Sequence, residues 1–225
     1  MISIVIPTLN AEVGLAQTLD RVSPDRHVLV REIIVSDGGS SDSTIEIAKR
    51  AKCRIFQGPA CRGRQLRLGV RQAAGRWLLF LRAQTRLGPN WEAAANDFIR
   101  RAAGKRCAAV FTFKLDDNGR RARLLERIVA VHGRLLGFPS GDQGLLLSRS
   151  FYDDVGGFGS LPLMEDVDLI QRIGLARLEV LPVSAVRGTD LYGRHGYIRR
   201  TLGHCASLAL CFAGVPPRWI ARVHG

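Results

Sequence analysis

The chain has 225 residues, of which 46% are hydrophobic and 24% are charged. This length and apolar content suffice for one sizeable hydrophobic core, and they exclude a disordered, collagen-like or coiled-coil chain. The formal net charge of +13 fits three anionic partners: nucleic acid, an anionic membrane surface or phosphorylated substrates. The arginines are spread along the chain with few aromatic neighbours and no nucleic-acid motif, so we expect no nucleic-acid partner.

Cysteine usage and the N-terminus predict the compartment. The five cysteines form no Cys-x-x-Cys pair, which argues against a zinc site or a disulfide framework and favours reduced thiols. The sequence begins directly with a strand pattern and lacks the features of a secretory signal. We therefore expect a cytoplasmic location.

The first part of the chain alternates strand and helix patterns. Apolar runs predict strands at 2–6, 32–36, 54–57 and 77–81, and helical spacing predicts helices at 11–22, 41–50 and 64–74. Pro7 is expected to end the first strand. Alternation of this kind predicts an α/β fold with a mostly parallel sheet flanked by helices.

The second part of the chain is less regular. It predicts helices at 91–103, 121–136 and 165–173, and strands at 108–114, 145–148 and 180–186. Between them, residues 137–144 and 155–164 are rich in Gly, Pro and Ser, which is typical of loops that carry binding residues. We expect one domain over residues 1–190 and a basic amphipathic helical tail over residues 191–225.

The tail has two interpretations. Basic residues flank an apolar stretch at 205–215, which is well short of the ~20 residues that span a bilayer. Such a helix suits the surface of an anionic membrane, which would place the protein peripherally at the inner face. A tail packed back onto the core explains the same pattern equally well.

A carboxylate follows the second predicted strand. Asp37 lies in the run Ser36-Asp37-Gly38-Gly39-Ser40, where small residues leave room beside it. In open α/β sheets, ligands bind in the crevice outside the carboxyl ends of the strands. We therefore expect Asp37 to accept a hydrogen bond from the ribose or base of a nucleotide.

Several segments, in this order and spacing, identify a family. They are Ser3 to Asn10, Ile34 to Thr44, Arg62 to Gln65 with Gly69, Leu78 to Leu81, Gly141 to Gly144, Gly156 to Phe158 and Met164 to Asp166. With them the chain resembles a family 2 glycosyltransferase of the inverting GT-A type, without obvious transmembrane spans. The resemblance implies a Rossmann-like GT-A fold and transfer of a sugar from a nucleoside diphosphate to an acceptor hydroxyl. The nucleotide that the family resemblance implies is UDP.

The resemblance also implies roles for individual residues. Asp166 corresponds to the catalytic base, and Glu165 to a residue that orients the base or the acceptor; the alternative is that both acids only complement the dipole of their helix. The residues expected to bind the donor are Pro7, Asp37, Arg62, Arg64, Arg82 and Gln84. Asp142 and Gln143 are the candidates for binding the acceptor, with a simple turn as the alternative. A lipid-linked acceptor would suit the basic tail.

One position departs from the family pattern. Gln84 stands where relatives usually have an Asp that binds a divalent cation, and a neutral amide is a poor ligand for Mg²⁺ or Mn²⁺. The sequence therefore establishes no cofactor, and Mg²⁺ or Mn²⁺ stays open. Either Arg82 or Arg67 replaces the metal in an active enzyme, or the chain is an inactive nucleotide-binding or regulatory protein. The presence of Asp37, Glu165 and Asp166 favours the enzyme.

Overall fold

A computed structural model describes residues 1–117, 119, 122–124, 126, 141–161 and 164–188. The strands of this part of the chain are β1 (Ile2–Thr8), β2 (Val30–Asp37), β3 (Arg54–Gln57), β4 (Trp77–Phe80), β5 (Thr85–Leu87), β6 (Ala108–Leu115), β7 (Leu145–Ser148) and β8 (Leu178–Arg187). The helices are α1 (Glu12–Val22), α2 (Thr44–Arg50), α3 (Arg62–Gln72), α4 (Trp91–Arg101), α5 (Arg149–Asp154) and α6 (Glu165–Ile173).

The strands form one mixed sheet in the order β3-β2-β1-β4-β7-β6-β8-β5. The neighbours from β3 to β4 pair in parallel, as do β6 and β8. β7 runs antiparallel to both β4 and β6, and β5 runs antiparallel to β8. The expected α/β architecture, with a mostly parallel sheet between helices, is confirmed.

Helices cover both faces of the sheet. Successive strand residues point to opposite faces, so Ile4 belongs to one buried cluster and Val5 to the other. The first cluster contains side chains of α1 and α4, and the second contains side chains of α3, α5 and α6. This two-sided burial explains why the strands read as continuous apolar runs.

Most of the predicted strands and helices are present in the structure, although their ends differ from the predicted ones. β1 continues through Pro7 to Thr8, contrary to prediction. β4 pairs only with residues 2–5 of β1, so the missing N–H of Pro7 removes no bond of that ladder.

Two short elements, β5 and α5, were not predicted. β5 has three residues. α5 is a six-residue helix whose N-cap, Ser148, accepts a hydrogen bond from Phe151 N at 3.1 Å.

Two predicted segments lie partly or entirely outside the described residues. The helix expected at 121–136 lies largely outside the described residues, although residues 122–124 are helical. The tail over residues 191–225, and with it the expected domain boundary, lies outside them entirely. None of the helices in the described ranges is long and apolar enough to cross a membrane.

Candidate active site

Asp37 organises the loop at the carboxyl end of β2. Its side chain is fully buried and accepts hydrogen bonds from Thr8 Oγ1, Gly39 N and Ser40 N, each at 2.8 Å, and from Ser40 Oγ. Burial alone raises the pKa of Asp37, but hydrogen bonds from Ser40, Thr8 and Gly39 outweigh it, so that its pKa lies below the usual value. Asp37 is thus an ionised anchor of its own loop, and its contact with a nucleotide stays a prediction.

Hydrogen bonds join this loop to the loop that follows β1. Asn10 Oδ1 accepts from Ser41 N at 2.9 Å, and Thr44 Oγ1 accepts from Ala11 N at 2.7 Å. Gln65 of α3 connects the two strands directly, because its Nε2 donates to Thr8 O at 2.7 Å and to Ser36 O at 2.9 Å. Pro7 is in register with Ser36 just before these ends. The crevice at the ends of β1 and β2 is therefore fixed by polar bonds.

A second group of side chains forms an ion-pair cluster near the end of β4. Arg82 Nε lies 3.3 Å from Asp142 Oδ1, and Arg82 Nη2 lies 3.2 Å from Asp166 Oδ2. Arg187, at the end of β8, pairs with the other oxygen of Asp142. Arg62, at the start of α3, lies 3.2 Å from Glu165 Oε1. Residues far apart in sequence thus meet at one site.

The charges in this cluster shift one another's pKa values. Burial lowers the pKa of Arg82, but the neighbouring Asp142 and Asp166 outweigh it and raise the pKa above the usual value. The positive charge of Arg82, followed by burial, lowers the pKa of Arg62 despite the nearby carboxylates. Arg82 is therefore a permanent positive charge beside Asp166.

Glu165 and Asp166 have different environments although they are adjacent at the start of α6. The Glu165 side chain is 2% exposed, and its Oε2 has no hydrogen-bond partner among the described residues. Burial, and then the charge of Asp166, raise the pKa of Glu165. The Asp166 side chain is 20% exposed, and its Oδ1 accepts a hydrogen bond from Val167 N at 2.9 Å. Asp166 is thus the accessible carboxylate of the two.

Three other residues predicted for the site have different surroundings. Gln143 is buried and its Nε2 donates to Phe111 O at 2.8 Å. Arg64 is exposed on α3. The Gln84 side chain lies over Gly14, where α1 is interrupted by non-helical backbone. The contacts of these residues with donor or acceptor stay predictions.

Arg187 and the role of Gln65 were not predicted from the sequence. Gln65 ends the family segment that begins at Arg62, but that segment does not reveal that its amide spans two strand ends. Arg187 directly follows an apolar strand pattern, as Arg82 does, and this shared position could have identified it as a candidate site residue.

Two glycines permit the close packing around the cluster. A Cβ on Gly141 would lie 2.2 Å from Asp166 Oδ2 and 2.8 Å from Arg82 Nη2. A Cβ on Gly63 would lie 2.2 Å from Gly159 O, in the loop that leads to α6. The positions of the two catalytic candidates therefore depend on the absence of side chains at these points.

The residues after β4 do not fit a divalent cation. Arg82 and Gln84 supply a guanidinium and an amide there, and Asp142 and Asp166 already pair with Arg82. Hard divalent cations prefer several carboxylate or carbonyl oxygens and are repelled by a fixed positive charge. Across the described ranges, no group of three or more His, Cys, Asp or Glu side chains is placed to hold a metal ion.

The family model described as "Glycosyl transferase family 2" matches residues 3–132, more than half of the chain. The chain belongs to glycosyl transferase family 2. The matched segment includes β1 to β6, with Asp37, Arg62 and Arg82, and ends before Asp142 and Asp166. No curated protein matches the chain in sequence.

Solved structures share the fold of this family 2 chain. S. aureus TarS 1-349 has a TM-score of 0.64 at 19% identity, covering 85% of this chain and 62% of TarS 1-349. The same TarS fragment in complex with UDP-GlcNAc has a TM-score of 0.59 at 20% identity, with 83% and 58% covered. Glucosyl-3-phosphoglycerate synthase from Mycobacterium tuberculosis, in complex with Mn²⁺, UDP and glucosyl-3-phosphoglycerate, has a TM-score of 0.61 at 20% identity, with 96% and 81% covered. The chain thus spans less than two thirds of the TarS fragment, and the likeness confirms the GT-A fold.

Proposed function

We propose that the chain transfers a sugar from a nucleoside diphosphate sugar to an acceptor hydroxyl, with inversion and without a divalent cation. The observation that carries this proposal is the contact of Arg82 with Asp166, 3.2 Å between Nη2 and Oδ2. It brings a permanent positive charge and an accessible carboxylate to the same end of the sheet. An inverting transfer needs both, one for the leaving diphosphate and one for the acceptor proton.

Asp166 is the proposed base. Its Oδ2 accepts the proton of the acceptor hydroxyl while the hydroxyl oxygen forms a bond to the anomeric carbon. The bond from that carbon to the phosphate oxygen breaks on the opposite face, and its electron pair leaves with the diphosphate. Glu165, buried next to Asp166 and paired with Arg62 at 3.2 Å, keeps Arg62 in place rather than taking the proton itself.

Arginines take the place of the metal in this proposal. A guanidinium offers several N–H donors in a fixed geometry that matches phosphate oxygens. Arg82 is the first candidate, because it stands near the position from which relatives supply a metal ligand. Arg62 and Arg64 lie in the first turn of the adjacent helix α3. Pro7, Asp37 and Gln84 complete the proposed donor site, and Asp142 and Gln143 the proposed acceptor side.

Calorimetric titration tests the donor site. UDP, GDP and their sugars would be titrated into the protein, first with Mn²⁺ and then with EDTA. UDP comes first because TarS and the mycobacterial synthase have been crystallised with it. We expect binding that survives EDTA. Turnover that EDTA abolishes, and that Arg82→Ala leaves unchanged, would refute the metal-free mechanism.

A second candidate function is an inactive nucleotide-binding or regulatory protein. The observation in its favour is that both carboxylates nearest the site, Asp142 and Asp166, are already paired with Arg82. Donor hydrolysis or transfer that disappears in Asp166→Asn would exclude this alternative. Nucleotide binding without any turnover would support it.

The acceptor and the membrane form a separate part of the proposal. We propose a domain over residues 1–190, a tail over residues 191–225, and a lipid-linked acceptor presented at an anionic membrane to which the basic tail binds. Sedimentation with vesicles of anionic and of neutral lipid, for the full chain and for a chain without residues 193–225, tests this. Binding that needs both the tail and anionic lipid is expected.

A further inference from the structure

We infer that Arg82 is exchanged between two partners: it pairs with Asp166 in the free protein and with the diphosphate once the donor binds. The inference rests on the proposed function. It makes Arg82 the residue that couples donor binding to the base, so that Asp166 can take a proton only after the donor is in place.

The first step follows from the ion pairs of the cluster. Among the described residues, Arg62 pairs with Glu165, Arg82 with Asp142 and Asp166, and Arg187 with Asp142. A diphosphate adds negative charge and no cation. Because each of these arginines is already paired with a carboxylate, an arginine that binds the diphosphate must weaken that pairing.

Solvent exposure indicates which bond weakens. Arg187 and Asp142 form the most enclosed pair, with side chains 11% and 5% exposed, and the side chains of Arg62 and Glu165 are 29% and 2% exposed. Arg82 and Asp166 are the more open pair, at 31% and 20%. Asp142 retains Arg187 when Arg82 moves, whereas Asp166 has no second arginine within ion-pair distance among the described residues. The contact between Arg82 and Asp166 is therefore the one that the donor replaces.

The exchange has a functional consequence. While Arg82 holds Asp166, the Oδ2 atom of Asp166 is occupied by the guanidinium. When the diphosphate takes Arg82, this oxygen becomes free to accept the proton of the acceptor hydroxyl. Arg82 thus acts on Asp166 as a positioning residue, and Asp166 is released only once the donor has bound.

A double-mutant cycle read by calorimetry tests the exchange without requiring turnover. Asp166→Asn removes the competing partner and keeps an oxygen for the N–H of Val167. We expect it to tighten binding of UDP or GDP by roughly 5- to 50-fold. In the Arg82→Gln background the same change should have no effect. The conservative Arg82→Lys, which retains the charge, should restore part of the coupling.

Two controls separate the exchange from general repulsion. Uridine and guanosine carry no phosphate, so Asp166→Asn should not change their affinity. Asp168→Asn removes the same charge two residues along α6, where Asp168 pairs with Arg172, and should leave UDP or GDP binding within about twofold. Thermal unfolding of each variant confirms that it folds.

Each outcome decides the matter. Tightening that occurs only when Arg82 is present, and only for the diphosphates, supports the exchange. Unchanged affinity in Asp166→Asn, or equal tightening in both backgrounds, overturns it while the proposed function stands. If the unmodified protein binds neither UDP nor GDP, the proposed function fails and the exchange fails with it.

Discussion

Arg82 Nη2 lies 3.2 Å from Asp166 Oδ2, although 84 positions separate the two residues in the chain. Arg82 follows β4, in the parallel half of the sheet. Asp166 is the second residue of α6, which follows the antiparallel strand β7 in the chain. The contact joins the part of the chain that carries the predicted donor residues to the part that carries the predicted base.

Asp166→Asn should abolish transfer. The amide cannot accept the hydroxyl proton, so we expect kcat to fall by about 100-fold or more. Steady-state assays with a UDP-sugar or GDP-sugar donor measure this. Asp168→Asn, which alters an exposed ion pair on the same helix, is the matched control and should retain most activity. Full activity in Asp166→Asn would show that another group is the base.

Arg82→Ala should weaken catalysis, and EDTA should not. Removing the fixed positive charge from the leaving diphosphate should lower kcat/KM by about 100- to 1000-fold, the size of effect found when one stabilising donor is lost. Arg100→Ala, an exposed arginine of α4, is the control for a change in total charge. Unchanged kcat/KM in Arg82→Ala would contradict a role for Arg82 in place of a metal.

Glu165→Gln should stabilise the protein at neutral pH but not in acid. Burial and the charge of Asp166 raise the pKa of Glu165 in the folded state above its ordinary value of 4.5. The protonated group therefore favours folding below about pH 4.5, and this contribution is lost as pH rises through the folded-state pKa. Urea unfolding across pH 4 to 8 measures the effect. A variant less stable than the parent at pH 8 would show that the pairing with Arg62 dominates.

Asp37→Asn should destabilise the fold. The amide nitrogen cannot accept the hydrogen bonds that the carboxylate receives, and we expect a loss of about 1–3 kcal/mol. Because the pKa of Asp37 is lowered, its ionisation favours folding above about pH 3.8, and this contribution is lost as pH falls through the folded-state pKa. The difference from the parent should therefore shrink in acid. Asp25→Asn, at a highly exposed side chain, is the control for urea unfolding.

Gly63→Ala should disturb the loop that leads to the base. The added Cβ would lie 2.2 Å from Gly159 O and 2.9 Å from Leu161 O, both backbone atoms. Overpacking of this kind costs about 1–3 kcal/mol. Thermal unfolding measures it. In Gly58→Ala the nearest atom is the end of a flexible leucine side chain at 3.3 Å, and this variant should be nearly neutral. Equal stability of the two variants would contradict the close packing.

Much of the fold followed from the sequence because both faces of the sheet are covered. Strands such as β1 and β4 are continuous apolar runs between turn residues, which distinguishes them clearly from the amphipathic helices. β5 was missed because three residues with Arg86 at the centre show no such pattern. The reversed direction of β7 was not predicted, because direction depends on tertiary pairing and not on periodicity.

The site was predicted in part. The positions of Asp37 and Asp166 at a strand end and a helix start follow from local pattern together with the family resemblance. The partners of these residues do not. The pairing of Arg82 with Asp142 and Asp166, and the part of Arg187, depend on which loops meet in three dimensions. The single sequence therefore names candidates but not their contacts.

The pairing of the short strand β7 with β4 also fixes the position of Asp142 relative to Arg82. Its antiparallel register with β4 pairs Phe80 with Leu145, two residues before Arg82 and three residues after Asp142. Each strand residue advances the chain by about 3.3 Å, which is as large as the 3.3 Å separation of Arg82 Nε from Asp142 Oδ1. A slip of one residue in this pairing would move Asp142 by the full length of that contact. The register of this four-residue strand thus determines whether Asp142 lies close enough to Arg82 for the ion pair to form.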